Sequence, residues 1–188
     1  AQYRQLDCID AAALDAVLPV LIAEFGAIGG VIQAAGAVEL GSLDVKDDAR
    51  IAALLAPKVQ GTWLLVRALE RLGQRPRFFL TCSSIASSLP GLGGGLAEYV
   101  AGNAYLDTLA ASERRAGRPM TALGWLAWQG VGMAAHPAIV ARLAEMDIAP
   151  LAPADAAQAL VNVLGYPAAH VVLTGQPSSV KTNAPLPQ

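Results

Sequence analysis

Five short apolar runs, separated by stretches long enough to cross over a sheet, constrain this 188-residue chain more than any single residue does. The runs are Tyr3 to Cys8, Gly30 to Ala34, Arg77 to Ser83, Met120 to Trp125 and His170 to Thr174. Parallel strands cannot be joined by a tight hairpin; they need a connection of about a dozen residues or more, usually a helix. The spacing therefore predicts an α/β fold with a parallel sheet. Helix signals fall in the gaps. Asp10 precedes a stretch to Phe25, Pro57 can occupy the first turn before Val59 to Leu72, and Pro153 with Asp155 opens a run to Leu164. No repeat is visible, and the last stretch, QPSSVKTNAPLPQ, reads as a linker.

Composition removes several classes of function. The chain is 54% hydrophobic and 15% charged, which excludes a solvating or disordered polymer. Its 13 basic and 15 acidic residues give a net charge of -2 with no basic cluster, so no nucleic-acid partner is expected. Phe78 to Ala97 and Pro119 to Ala141 carry no charge, but serines, glycines and prolines interrupt both, and no membrane span is expected. The N-terminus, AQYRQLDCID, lacks the basic and apolar regions of a secretion signal, which predicts a cytoplasmic location. Cys8 and Cys82 lie in apolar segments without metal-ligand spacing, and only His136 and His170 accompany them. Neither a metal site nor a disulfide framework is expected.

A helix predicted from about Glu98 to Arg115 follows a glycine-rich loop, and on it Tyr99 and Asn103, four apart, share a face. The preceding strand runs into Ser83 and Ser84, and ligands of open α/β sheets bind beyond the carboxyl ends of strands. Ser84, Tyr99 and Asn103 can thus converge. Taken singly, each has a plainer reading: Tyr99 and Asn103 as packing residues, Ser84 as a loop hydroxyl, Lys58 as a solvated lysine. Gly93 to Gly95 precede Tyr99 rather than follow the first strand, which favours an active-site loop over a phosphate loop. Trp125 and Trp128 are expected to wall the pocket or the core, and His136 and His170 to be structural.

The ordered set TCSSIASS followed by EYVAGNAYLD resembles the short-chain dehydrogenase/reductase superfamily, and more narrowly the ketoreductase domain of a modular polyketide synthase. Supporting segments are VIQAAG (Val31 to Gly36), APKVQG (Ala56 to Gly61) and GWLAWQGVGMA (Gly124 to Ala134). The resemblance spans Leu6 to Leu164. It implies a Rossmann-like, doubly wound parallel sheet that is incomplete here, its first two strands and glycine-rich turn being absent from this chain. It implies a ketoreductase region over 1–175 and a tail over 176–188. The implied activity is NADPH-dependent reduction of a carrier-protein-bound ketoacyl thioester, foremost β-ketoacyl, to the hydroxyacyl thioester.

Carried over residue by residue, the resemblance makes Tyr99 the proton donor, Ser84 its partner on the substrate oxygen, and Lys58 and Asn103 their supports, with Asn103 orienting Lys58 or a relay water. Asp7, Ala35, Gly36, Lys58 and Tyr99 would contact the cofactor, Asp7 from a strand near the adenine. A free tyrosine ionises only near pH ~10, so a nearby ammonium suits the chemistry. The implied partners are an acyl carrier protein bearing phosphopantetheine and a complementary N-terminal half of the domain. Without that half, one strand would lack a partner and another would present a long apolar edge. Two other readings stand beside this one: a non-catalytic structural pseudo-ketoreductase, and a serine hydrolase through Ser84, which lacks the G-x-S-x-G elbow. Val38-Glu39-Leu40 stands where one stereochemical class has Leu-Asp-Asp, and Gly91 where the other has tryptophan, so the stereochemical outcome stays open.

Overall fold

The computed structural model describes residues 1–174. The tail over 176–188 and the final residue of the 1–175 region lie outside the described residues.

Among the described residues, four strands form one parallel sheet in the order β1-β2-β3-β4: β1 (Val31–Gln33), β2 (Phe79–Ser84), β3 (Met120–Trp125) and β4 (His170–Leu173). Among the same residues, six α-helices connect or precede them: α1 (Ala11–Phe25), α2 (Asp48–Leu55), α3 (Gln60–Arg71), α4 (Ala97–Arg115), α5 (Pro137–Glu145) and α6 (Pro153–Val163). Two of the three predicted helix starts hold, while Pro57 lies in the turn ahead of α3, which begins at Gln60 with Val59 at its cap position. Asp10 caps α1 by accepting from the Ala13 N–H at 3.0 Å, and Pro153 occupies the first turn of α6, where its missing N–H leaves no intrahelical bond unmade.

Side chains alternate across the central strands, and both faces are covered. Phe79, Met120 and Ala122 pack with Val66 and Leu69 of α3 and Ala110 of α4 on one face; Leu80 and Leu123 pack with Val163 of α6 on the other. Leu14 and Leu18 hold α1 against Ala68 of α3. This is the doubly wound arrangement in partial form. Among the described residues no helix is long and apolar enough to cross a membrane.

One predicted strand is absent. Tyr3 to Cys8 is irregular and ends in a turn in which the Asp10 N–H donates to the Asp7 carbonyl. A strand needs a neighbour to receive its hydrogen bonds, and here the segment lies against α3, with the Cys8 sulfur where a side chain on Gly61 would sit. The long apolar edge is also absent among the described residues, where the outer strand β1 has three residues and pairs with β2 alone.

Candidate active site

The carboxyl ends of β1, β2 and β3 open onto a cleft of about 470 Å³, lined among others by Ala34, Ser84, Tyr99, Trp125, Trp128 and Leu143. Ser84 is the last residue of β2, and its Oγ accepts from the Ala86 N–H at 3.2 Å, which starts a single 3₁₀ turn over Ile85–Ser87. That bond uses an acceptor lone pair and leaves the hydroxyl hydrogen free to be donated. Trp125 and Trp128 wall the cleft as an edge-to-face pair with centroids 5.0 Å apart.

Lys58 comes from the turn between α2 and α3 and is 4% exposed, the opposite of a solvated lysine. Its Nζ donates to the Cys82 carbonyl at 2.6 Å and lies 5.7 Å from the Tyr99 ring centroid, within cation–π range. Two glycines make room for it. A Cβ on Gly36 would come within 3.1 Å of Lys58 Cε, and one on Gly102 within 3.4 Å of Cδ. Burial pushes the ammonium below the ordinary lysine range, opposed by negative charge on Cys82 when ionised and on Asp107. Burial also pushes the Cys82 thiol up, so at neutral pH the opposing charge is that of Asp107.

Asn103 is fully buried on α4; its Nδ2 donates to the Tyr99 carbonyl at 2.8 Å, and its own carbonyl accepts from Ser83 Oγ at 3.3 Å. Its Oδ1 has no partner among the described residues. The Cys82 carbonyl, not Asn103, therefore orients Lys58, and the free Oδ1 leaves the relay-water role open. Ala35 and Gly36 follow β1, Gly36 beside the Lys58 side chain, and neither these two nor Lys58 and Asn103 are among the residues that line the cleft; the Ala35 N–H donates to Gln33 Oε1 at 3.0 Å. Asp7 lies outside the cleft, exposed, its carboxylate accepting from the Ile9 N–H at 3.1 Å.

Several residues near the site had escaped the sequence reading. Ser87 Oγ lies 2.8 Å from the Ser84 carbonyl and 2.7 Å from Asp107 Oδ2, so Asp107 ties the turn after β2 to α4. Asp107 Oδ1 and His170 Nε2 are 3.6 Å apart. The signal was available: Tyr99, Asn103 and Asp107 follow one another at spacings of four on a single helix face. His136 accepts from the Ala138 N–H at the start of α5, a structural cap, and no hydrogen bond joins either histidine to Ser84 among the described residues. The buried pair Lys46 and Glu98 was also missed.

The family profile of the KR domain matches residues 1–130. The phenolphthiocerol synthesis polyketide synthase type I Pks15/1 of Mycobacterium bovis is 36% identical over 160 residues, 84% of this chain and 7% of that protein. Polyketide synthase GfsE of Streptomyces halstedii is 34% identical over 149 residues, 78% of this chain and 4% of that protein. A solved ketoreductase, PlmKR1 from the first module of phoslactomycin biosynthesis in Streptomyces sp. HK803, superposes with a TM-score of 0.80 at 30% identity. It covers 90% of this chain, which spans 39% of it.

Proposed function

The chain belongs to the KR domain family, and from that premise we propose that it carries the proton-transfer half of an NADPH-dependent ketoreductase acting on a carrier-bound β-ketoacyl thioester. The observation that carries the proposal is the buried Lys58 ammonium, 5.7 Å from the Tyr99 ring at a cleft whose rim also holds Ser84. When bound, NADPH supplies the hydride that converts the carbonyl carbon to a carbinol carbon. Tyr99 gives its phenolic proton to the substrate oxygen, completing the hydroxyl group. Charge develops on that oxygen, and preorganised donors stabilise it where it develops. Ser84 has the free hydrogen for this role, and Lys58 stabilises the phenolate left on Tyr99.

The chain's residues fit one end of a nicotinamide cofactor. Gly36 is a cradle that a Cβ would fill against Lys58, and the buried, unpartnered Asn103 Oδ1 offers an acceptor for a relay water that returns a proton to Tyr99. The described residues contain no glycine-rich turn between a strand and a helix N-terminus of the kind that holds a pyrophosphate. In this reading a segment carrying that unit works with the chain, and the acyl group arrives on phosphopantetheine.

The test is calorimetric titration of NADPH, followed by NADPH oxidation with a β-ketoacyl thioester, using the chain with and without a polypeptide bearing that unit. Binding and turnover are expected only in the combined form. Tyr99→Phe should lower turnover on the order of a hundred- to ten-thousandfold while NADPH binding persists. Cofactor binding without turnover in the unsubstituted combined form would favour the non-catalytic reading.

A further inference from the structure

Helix α4 begins without a side-chain cap: Leu96 stands at the cap position, and its side chain makes no capping hydrogen bond. The next polar residue, Glu98, immediately precedes Tyr99. Its side chain is 1% exposed and pairs with Lys46, which is 3% exposed. The three ammonium protons of Lys46 meet three acceptors: Glu98 Oε1, the Glu39 carbonyl at 2.9 Å and the Gly41 carbonyl at 3.2 Å. The Gly41 N–H in turn donates to the Gly95 carbonyl at 3.1 Å. One buried cation therefore staples the loop after β1 to the first turn of α4, and that loop is also bonded to the glycine segment before it. Val38, Leu96 and Tyr99, which flank these ties in sequence, all line the cleft.

Stability alone does not account for the pair. Two ions stripped of water recover little net energy from each other, and well-packed hydrocarbon of the same volume often serves as well or better. What the pair supplies is a fixed geometry, since all three Lys46 protons are bonded although Glu98 Oε2 has no partner among the described residues, and it is fixed one residue from the proton donor. We propose that Lys46 and Glu98 are positioning residues that set the direction in which the Tyr99 hydroxyl meets the substrate oxygen; this rests on the reductase reading above. The charge of neither residue takes part in the chemistry.

The experiment replaces both ions together, Lys46→Met with Glu98→Leu, so that no unpaired charge is left buried. Thermal unfolding of the full chain is expected to match or exceed that of the unsubstituted protein. In the combined form that turns over, kcat should fall about ten- to a hundredfold, the scale of a sub-ångström to ångström misplacement, with NADPH affinity unchanged. A second readout needs no activity. With 3-fluorotyrosine incorporated and Tyr99→Phe used for assignment, the fluorine resonance of Tyr99 should shift or split in the double variant. An unmoved resonance, or unchanged kcat, would overturn the proposal. If the unsubstituted combined form shows no turnover, the reductase reading fails, and the fluorine resonance still decides whether the pair positions Tyr99.

Discussion

Gly36 and Gly102 contact the same lysine, yet a methyl group added at each should have different consequences. At Gly36 the new Cβ would lie 3.1 Å from Lys58 Cε and 3.4 Å from Nζ, so the ammonium must yield by a few tenths of an ångström. It is held by a 2.6 Å bond to the Cys82 carbonyl, and that bond must stretch or turn. If a displacement of about 1 Å can lower a rate about a hundredfold, a shift of this size should lower kcat by roughly three- to tenfold. Stability should change little, since the restricted unfolded chain contributes about 0.4–1 kcal/mol that offsets the crowding. At Gly102, inside α4, the nearest atom would be 3.4 Å away, an ordinary contact. There the helix propensity of alanine over glycine should add about 1 kcal/mol and raise the Tm by about 2–4 °C. Thermal unfolding of Gly36→Ala and Gly102→Ala, together with turnover of Gly36→Ala in the combined form, checks both. A lowered Tm for Gly102→Ala, or full turnover for Gly36→Ala, would show that Lys58 is not confined as described.

Lys58→Met removes a buried ammonium, and although it leaves the Cys82 carbonyl without its donor, it should stabilise the fold at neutral pH by on the order of 1–2 kcal/mol while turnover is lost. The folded-state pKa of Lys58 is depressed by burial, so between that value and the ordinary lysine value the unfolded chain binds more protons and stability rises with pH. Urea unfolding should therefore show the Met variant's advantage shrinking as pH rises through that window, and an advantage independent of pH would refute the assignment. Asp107→Asn removes the charge that opposes desolvation of Lys58, so the alkaline limb of the turnover profile should move to lower pH; an unmoved limb would mean that Asp107 acts only through Ser87.

Much of the fold could be read from period alone because β2, β3 and their helices are buried on the faces that the pattern marks. The Tyr3 to Cys8 segment misleads because Leu6 and Cys8 serve equally to pack on α3, and nothing local records whether a neighbouring strand exists to receive its backbone. On the site, the four-residue spacing of Tyr99 and Asn103 is a local signal, whereas the burial of Lys58 is not: it depends on two glycines from separate parts of the chain. Lys46 and Glu98 are 52 residues apart, and neither carries a local mark that it would be buried against the other.

The Trp125–Trp128 pair gives the cleft an optical voice. Both indoles wall the space proposed for substrate, while Trp63 on α3 is half exposed and not part of that lining. Their emission overlaps the absorption of a reduced nicotinamide, so a cofactor seated at this rim should quench the pair by energy transfer and leave a solvent-like Trp63 component. Seating of an acyl chain between the indoles and Leu143 should shift their emission to shorter wavelength. Native fluorescence can thereby separate arrival of cofactor from arrival of substrate, without a label and before any bond is made.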